Sequence, residues 1–326
     1  MKIAVTGAAG HVGCNLIRTL IKETNHEIRV LQYHDHKALD GLGVEIVKGD
    51  LLQSETLVDF CSGIDVLFHL ASKISIGSNS YQSIYETNVN GTKNLVRAAQ
   101  KAGIKKYIHF SSIHALIHQP FEEVMDESRA LATSSSIAYE KTKSLAEEWV
   151  LTQKRDDFEV VVLNPTSIIG PCDYKPSLMG QLLIRLYNNS LPGLVPGGYD
   201  WVDVRDIVKS AISAIENGKS GERYILSGSW TTVEELAKVL GEVNNLKINK
   251  AVFPMWLARI GVPFIFIWSK IIGQHPLYTN ESLSILQSGN KKISHQKASN
   301  ELGHSPRPLG ETLKDAIDWF KENKYI

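Results

Sequence analysis

A glycine turn caught between a strand and a helix constrains this chain more than any other feature. The apolar run at residues 2–5 leads into Thr6-Gly7-Ala8-Ala9-Gly10-His11-Val12-Gly13, and an amphipathic helical pattern opens there. Glycine permits the tight turn and lets backbone approach a pyrophosphate. The helix that follows turns unpaired N–H groups and a positive dipole end toward that anion. The context is the one such a cradle needs: immediately after a first strand and immediately before a helix.

The rest of the first two-thirds repeats the strand-then-helix rhythm. Strands are expected at 2–5, 27–31, 44–47, 65–70, 106–110 and 159–163, with helical stretches such as 11–21, 83–102 and 136–152 between them. Apolar strands alternating with helices read as a parallel sheet covered on both faces. Right-handed crossovers make it an α/β, Rossmann-type doubly wound sheet. After Pro165, prolines at 171, 176, 192 and 196 and the Gly197-Gly198 pair break the rhythm. Strand-like pieces return at 201–204 and 223–226. The reading is a dinucleotide-binding domain from 1–170 and 199–228, interleaved with a smaller, mostly helical substrate lobe from 171–198 and 229–326.

With 326 residues the chain can bury a large core and carry a second lobe. Lys+Arg and Asp+Glu are 35 each, so no net field draws nucleic acid or an anionic membrane. Cys14, Cys61 and Cys172 are far apart and odd in number, which fits reduced thiols and a cytoplasmic location, without a disulfide framework or a zinc site. The start is too short an apolar run for a signal peptide. The most apolar later stretch, 260–268, is interrupted by Pro263 and far too short to span a bilayer, and it reads as a buried wall or lid.

Tyr139 and Lys143 stand one helical turn apart, on one face of the helix at 136–152. A lysine cation favours the phenolate and is expected to lower the tyrosine pKa from about 10. Such a tyrosine can serve as general acid or base. Ser111 and Ser112 end the fifth strand, at the edge where parallel sheets bind ligands. Ser112 is expected to hold a substrate oxygen beside Tyr139, with Ser111 beside the cofactor. His114 and His118 follow in a long loop, lining the pocket or solvated.

The end of the second strand tunes the cofactor. An acid there would bind the ribose 2′-hydroxyl of NAD, whereas a 2′-phosphate prefers a basic neighbour. Gln32 stands where the acid is expected and Tyr33 follows, with His34, Asp35, His36 and Lys37 close behind. This favours NADP over NAD. His34 and His36 lack a third metal ligand. Asp50 after the third strand accepts from an adenine amine or caps a turn. His69 ends the fourth strand as a satisfied core histidine, and the small residues after it let a cofactor pack on the backbone. Asn88 braces backbone or a water, and Gly91 within its helical stretch needs a close neighbour to justify it.

Taken in order, these motifs resemble the extended short-chain dehydrogenase/reductase family: TGxxGxxG at 6–13, Asp50, HLA at 69–71, NVxGT at 88–92, Ser112, YxxxK at Tyr139 and Lys143, and Asn164-Pro165 with Gly170-Pro171. The resemblance implies that Tyr139 exchanges a proton with a substrate oxygen, Ser112 orients that oxygen, and Lys143 holds the nicotinamide ribose. It implies cofactor contacts at Gly7, Gly10, His11, Val12, Gly13, Tyr33, Asp50, Leu51, Leu70, Ala71, Ser72, Lys73, Asn88, Ser111, Tyr139, Lys143 and Pro165. No metal is expected. It also implies a homodimer through the helices at 83–102 and 136–152.

Sugar-nucleotide relatives often carry an arginine where this chain has Tyr199, and residues 165–198 offer only Lys175 and Arg185 as cations. Phe253, Trp256, Phe264, Phe266 and Trp268 make the lobe aromatic, either as substrate wall or as core. The branch resembling dihydroflavonol 4-reductases and 3β-hydroxysteroid dehydrogenases fits best. The expected activity is hydride transfer to or from a ketone or secondary alcohol of a small, largely apolar substrate. The alternatives are a sugar-nucleotide epimerase or dehydratase with tightly bound NAD, and a non-catalytic NAD(P)-sensing protein.

Overall fold

Seven parallel strands make the main sheet of the computed structural model, which describes residues 1–34, 37–74, 80–262, 283, 286 and 289–326. They are β1 (Lys2–Thr6), β2 (Glu27–Gln32), β3 (Glu45–Lys48), β4 (Val66–His69), β5 (Lys106–Phe110), β6 (Glu159–Pro165) and β9 (Glu222–Leu226), in the order β3-β2-β1-β4-β5-β6-β9. Helices among the described residues include α1 (His11–Glu23), α2 (Ser54–Cys61), α3 (Tyr81–Tyr85), α4 (Gly91–Lys101), α5 (Ala138–Leu151), α6 (Leu178–Tyr187), α7 (Val204–Asn217), α8 (Val233–Val243), α9 (Gln296–Leu302) and α10 (Leu309–Glu322).

Strand alternation sends neighbouring side chains to opposite faces. Ile3 and Val5 therefore pack with Leu16, Ile17 and Leu20 of α1 and Val208 and Ala211 of α7. Ala4 packs on the other side with Leu57, Phe60, Leu95, Val96 and Val150, from α2, α4 and α5. Both faces are dry, which is why the strands read as nearly continuous apolar runs.

A second core lies in the lobe, where Leu183 and Leu186 of α6, Leu236 and Leu240 of α8, and Leu313 and Phe320 of α10 meet Trp201. Trp201 belongs to β8 (Gly198–Asp203). That strand pairs with β7 (Ser167–Ile169) and β10 (Ser229–Thr232) in a separate three-stranded sheet. Residues 199–228 are thus divided: β8 leaves the main sheet, while α7 covers it and β9 forms its edge. The strands β7 and β10 have three and four residues, too short for a periodic signal.

The helical stretch expected at 83–102 is α3 and α4 joined by a π-turn at Glu86–Asn90. Gly91 has its reason here: a Cβ at that position would lie 3.0 Å from Cβ of Leu51. Phe253 and Trp256 are exposed rather than core. Phe264, Phe266, Trp268 and most of the apolar 260–268 stretch lie outside the described residues. No described helix is long and apolar enough to cross a membrane.

Ion pairs tie the lobe's last helix to α7. Arg307 donates from Nη2 to Oδ1 of buried Asp206 at 2.6 Å and lies 3.5 Å from Asp203. Arg205 bridges Asp203 at 2.7 Å and Asp315 of α10 at 2.6 Å. Removing one partner of a largely buried pair strands the other charge. Arg307→Ala is therefore expected to lower stability by about 2–4 kcal/mol, read as a lower urea midpoint with an unchanged m-value.

Candidate active site

The glycine turn is built by contact as much as by backbone angle. Gly7 has φ +71°, and a Cβ there would lie 2.6 Å from the Ala71 amide nitrogen. A Cβ on Gly13 would collide with the Gly7 carbonyl oxygen. The turn thus packs flush on the end of β4. Gly10 is the N-cap of α1 and no side chain caps that helix. The N–H groups of a first helical turn have no partners within the helix, so this end suits a pyrophosphate. The chain fits the cofactor at this point.

His11 is oriented away from that role. Its Nε2 lies 3.0 Å from the Pro171 carbonyl oxygen, to which Asn15 also donates at 3.0 Å. Cys14 donates to the Cys172 carbonyl at 2.9 Å. Only the backbone of His11 is left for an anion, while its ring docks the lobe's first loop onto α1. Val12 packs against the main core.

At the end of β2, Gln32 is buried, while Tyr33 is 68% exposed and stands 4.2 Å from the His34 ring. Asp35 and His36 lie outside the described residues. Asp50 accepts the Leu52 amide at 2.9 Å, as a turn-capping aspartate does. Leu51 is buried beneath Gly91. After β4, Leu70 and Ala71 donate their amides to the carbonyl and hydroxyl of Thr6. Asn88 braces the next two residues: its Oδ1 accepts from Ser72 at 3.2 Å and the Lys73 amide at 2.7 Å, and its Nδ2 donates to the Lys73 carbonyl and Thr142. The Lys73 ammonium donates to Ser83 at 2.6 Å. His69 is satisfied by Thr6 and Thr92, and burial pushes it down to about 3.

The reactive constellation forms between β5 and α5. The Ser112 hydroxyl oxygen accepts the His114 amide at 3.2 Å. Tyr139 hydrogen-bonds Ser112 through its side chain. Lys143 sits one turn along and donates to the Phe110 carbonyl at 2.6 Å.

The expected depression of the tyrosine does not occur. Burial raises the Tyr139 phenol above its ordinary value, with Ser112 opposing. Lys143 donates one of its three N–H groups to the Phe110 carbonyl, and burial pushes it down to about 8, with Glu147 opposing. Desolvation of both groups outweighs their mutual Coulomb effect.

His114 and His118 are half-buried rather than free in solvent. Burial pushes them down to about 3 and about 4, their rings lie 5.3 Å apart, and His114 meets Tyr139 edge-on at 6.4 Å. Pro165 ends β6, buried opposite Leu226. Ser111 is buried beside Glu147. Among the described residues no group of His, Cys, Asp and Glu could hold a metal ion.

Three residues escaped sequence reasoning: Glu147, Asn164 as a side chain, and Arg223. Glu147 is 0% exposed and its carboxylate meets Arg223 at 3.0 Å and Asn164 at 2.8 Å. Its position, four residues beyond Lys143 and eight beyond Tyr139, was the available signal.

A helix-capped glycine cradle and a Ser–Tyr–Lys set at one edge of a Rossmann sheet define an enzyme that works with a nicotinamide dinucleotide. The chain belongs to the NAD dependent epimerase/dehydratase family, within the extended short-chain dehydrogenases/reductases; the family model matches residues 3–227. It is 30% identical to sterol demethylase protein B of Methylococcus capsulatus, over the full length of both chains. It is 31% identical to a putative dihydroflavonol 4-reductase of Synechocystis, covering 99% of this chain and 95% of that one. Among solved structures, gox2253 superposes with a TM-score of 0.83 at 29% identity, covering 98% of each chain. A UDP-glucuronic acid 4-epimerase of Bacillus cereus, in complex with UDP-glucuronic acid and NAD, shares the fold at TM-score 0.78 and 18% identity, over 99% of this chain and all of that one.

Lys143 titrates at about 8 when folded, against an ordinary 10.5, so holding it charged destabilises the native state below pH 8. As pH rises from 8 to 10.5 the native form loses its proton first, and wild-type stability increases. Lys143→Met is expected to stabilise the cofactor-free protein by about 3 kcal/mol at pH 7, an advantage that shrinks between pH 8 and 10.5. Urea unfolding of both proteins across that range reads the difference.

Proposed function

We propose that the protein is an NADP-preferring reductase/dehydrogenase acting on a ketone or secondary alcohol of a small, largely apolar molecule. The contact between Ser112 and Tyr139, with the Lys143 ammonium one turn behind, carries this reading. The bound dinucleotide supplies the hydride. The chain's own residues do the rest. Ser112 would hydrogen-bond the substrate oxygen, and Tyr139 would exchange a proton with that same oxygen. Because burial keeps the phenol protonated, the site is poised to give a proton, which suits carbonyl reduction. Lys143 would hold the nicotinamide ribose.

Several observations support the finer parts. Gln32 stands where the ribose-binding acid of an NAD site is expected, and Tyr33 follows it. Tyr199 stands in place of the sugar-nucleotide arginine, 5.2 Å from the Trp201 ring. Relatives named as a quinoline-oxide ketoreductase of Stigmatella aurantiaca and as 3β-hydroxysteroid dehydrogenases act, by their names, on ketones or alcohols of apolar skeletons.

Purified protein is expected to oxidise NADPH faster than NADH in the presence of alicyclic or aryl ketones. Tyr139→Phe is expected to lower kcat/KM by about 10²–10⁴ while NADPH still binds. Hydride transfer to no ketone in a broad panel would overturn the reading. NAD retained through purification, with thermal stabilisation by UDP-sugars, would replace it with the epimerase alternative.

A further inference from the structure

One fully buried carboxylate in the main domain takes no part in the chemistry above. Glu147 is fully buried on α5, and burial raises its carboxyl above the usual range. Taking an ion out of water costs several kcal/mol unless partners compensate. Its partners lead to the site from two directions. Oε1 meets Nε of Arg223, on β9, at 3.0 Å. Oε2 accepts Nδ2 of Asn164, on β6, at 2.8 Å, and that same Nδ2 donates to the backbone carbonyl of Ser112 at 3.0 Å.

The other direction is electrostatic. Glu147 lies one helical turn beyond Lys143 and is the charge that opposes the desolvation of its ammonium. The remaining titratable neighbours of Lys143 cannot do this. His69 on β4 and His109 on β5 are buried and held neutral, Tyr139 on α5 is protonated, and Arg223 is itself a cation. Without the carboxylate, two cations would share a dry interior.

We propose that Glu147 is a positioning residue of the proton-transfer set: through Asn164 it fixes the Ser112 backbone, and by its charge it holds Lys143 as an ammonium. The carboxylate touches neither substrate nor cofactor. It acts through the two residues that do.

Glu147→Gln removes the charge and keeps one oxygen, which serves either Arg223 or Asn164 but not both. The measurement is NADPH binding by nucleotide fluorescence from pH 6 to 9.5, beside circular dichroism and Tm. Binding that uses the ammonium weakens as Lys143 loses its proton. In Glu147→Gln that loss is expected roughly one pH unit lower than in wild type. Arg223→Gln leaves the carboxylate less neutralised, and its loss is expected at higher pH than in wild type. A merely structural role would not move the two variants in opposite directions. Folded Glu147→Gln with the wild-type profile, or both variants shifted the same way, overturns the proposal. If Glu147→Gln fails to fold, the upward shift in Arg223→Gln decides it alone. The inference rests on the proposed function. Wild-type protein that binds neither NADPH nor NADH at any pH overturns both, whereas normal wild-type binding with unmoved variants overturns this inference alone.

Discussion

Every strand of the main sheet runs the same way, so every strand delivers its following loop to one edge. Parallel pairing of β1, β4, β5 and β6 puts the glycine turn, the 70–73 segment, Ser111-Ser112 and Pro165 side by side, though they are scattered over 160 residues. Close packing then sets the spacing. Gly7 admits no Cβ because Ala71 is already there, and Gly91 admits none comfortably because Leu51 is. The site is therefore a consequence of sheet direction and missing side chains before it is a matter of reactive groups.

The reactive groups are governed by desolvation. Water would let Lys143 and Tyr139 interact as a simple charge pair, and the tyrosine would fall. In the folded chain Lys143 is buried and Tyr139 half-buried, and the lysine donates to a backbone carbonyl instead. Each group is pushed toward its neutral form. A protonated phenol held against a serine hydroxyl is a proton donor, while a lysine near 8 keeps its charge only with help. That help is the buried carboxylate one turn further on, anchored by a strand-borne arginine and asparagine. Helix α5 thus carries acid, cation and counter-charge at four-residue intervals.

Much of this was legible in the sequence. The six leading strands appear within a residue or two of their expected places, because a sheet covered on both faces demands apolar runs. The candidate set of Ser112, Tyr139 and Lys143 was marked by helical spacing and a strand end, and the fold brings the three together. The small sheet did not: β7 and β10 are too short to show a period, and β8 looked like any other returning strand. His114 and His118 read as loop residues because their burial comes from distant chain, with Asn290 donating its amide to His118. Asn164 and Arg223 were ordinary strand residues until folding set them around Glu147.

The sequence by itself determined the direction of the main sheet, the glycine turn between β1 and α1 and the one-turn spacing of Tyr139 and Lys143. Those depend on local periodicity, on glycine's missing side chain and on fixed helical intervals, all of which are written along the chain. Tertiary structure alone decided the protonation of the set, the membership of β8 and the partners of Glu147. Burial and Coulomb terms are sums over neighbours from many elements, and no single stretch of sequence contains those neighbours.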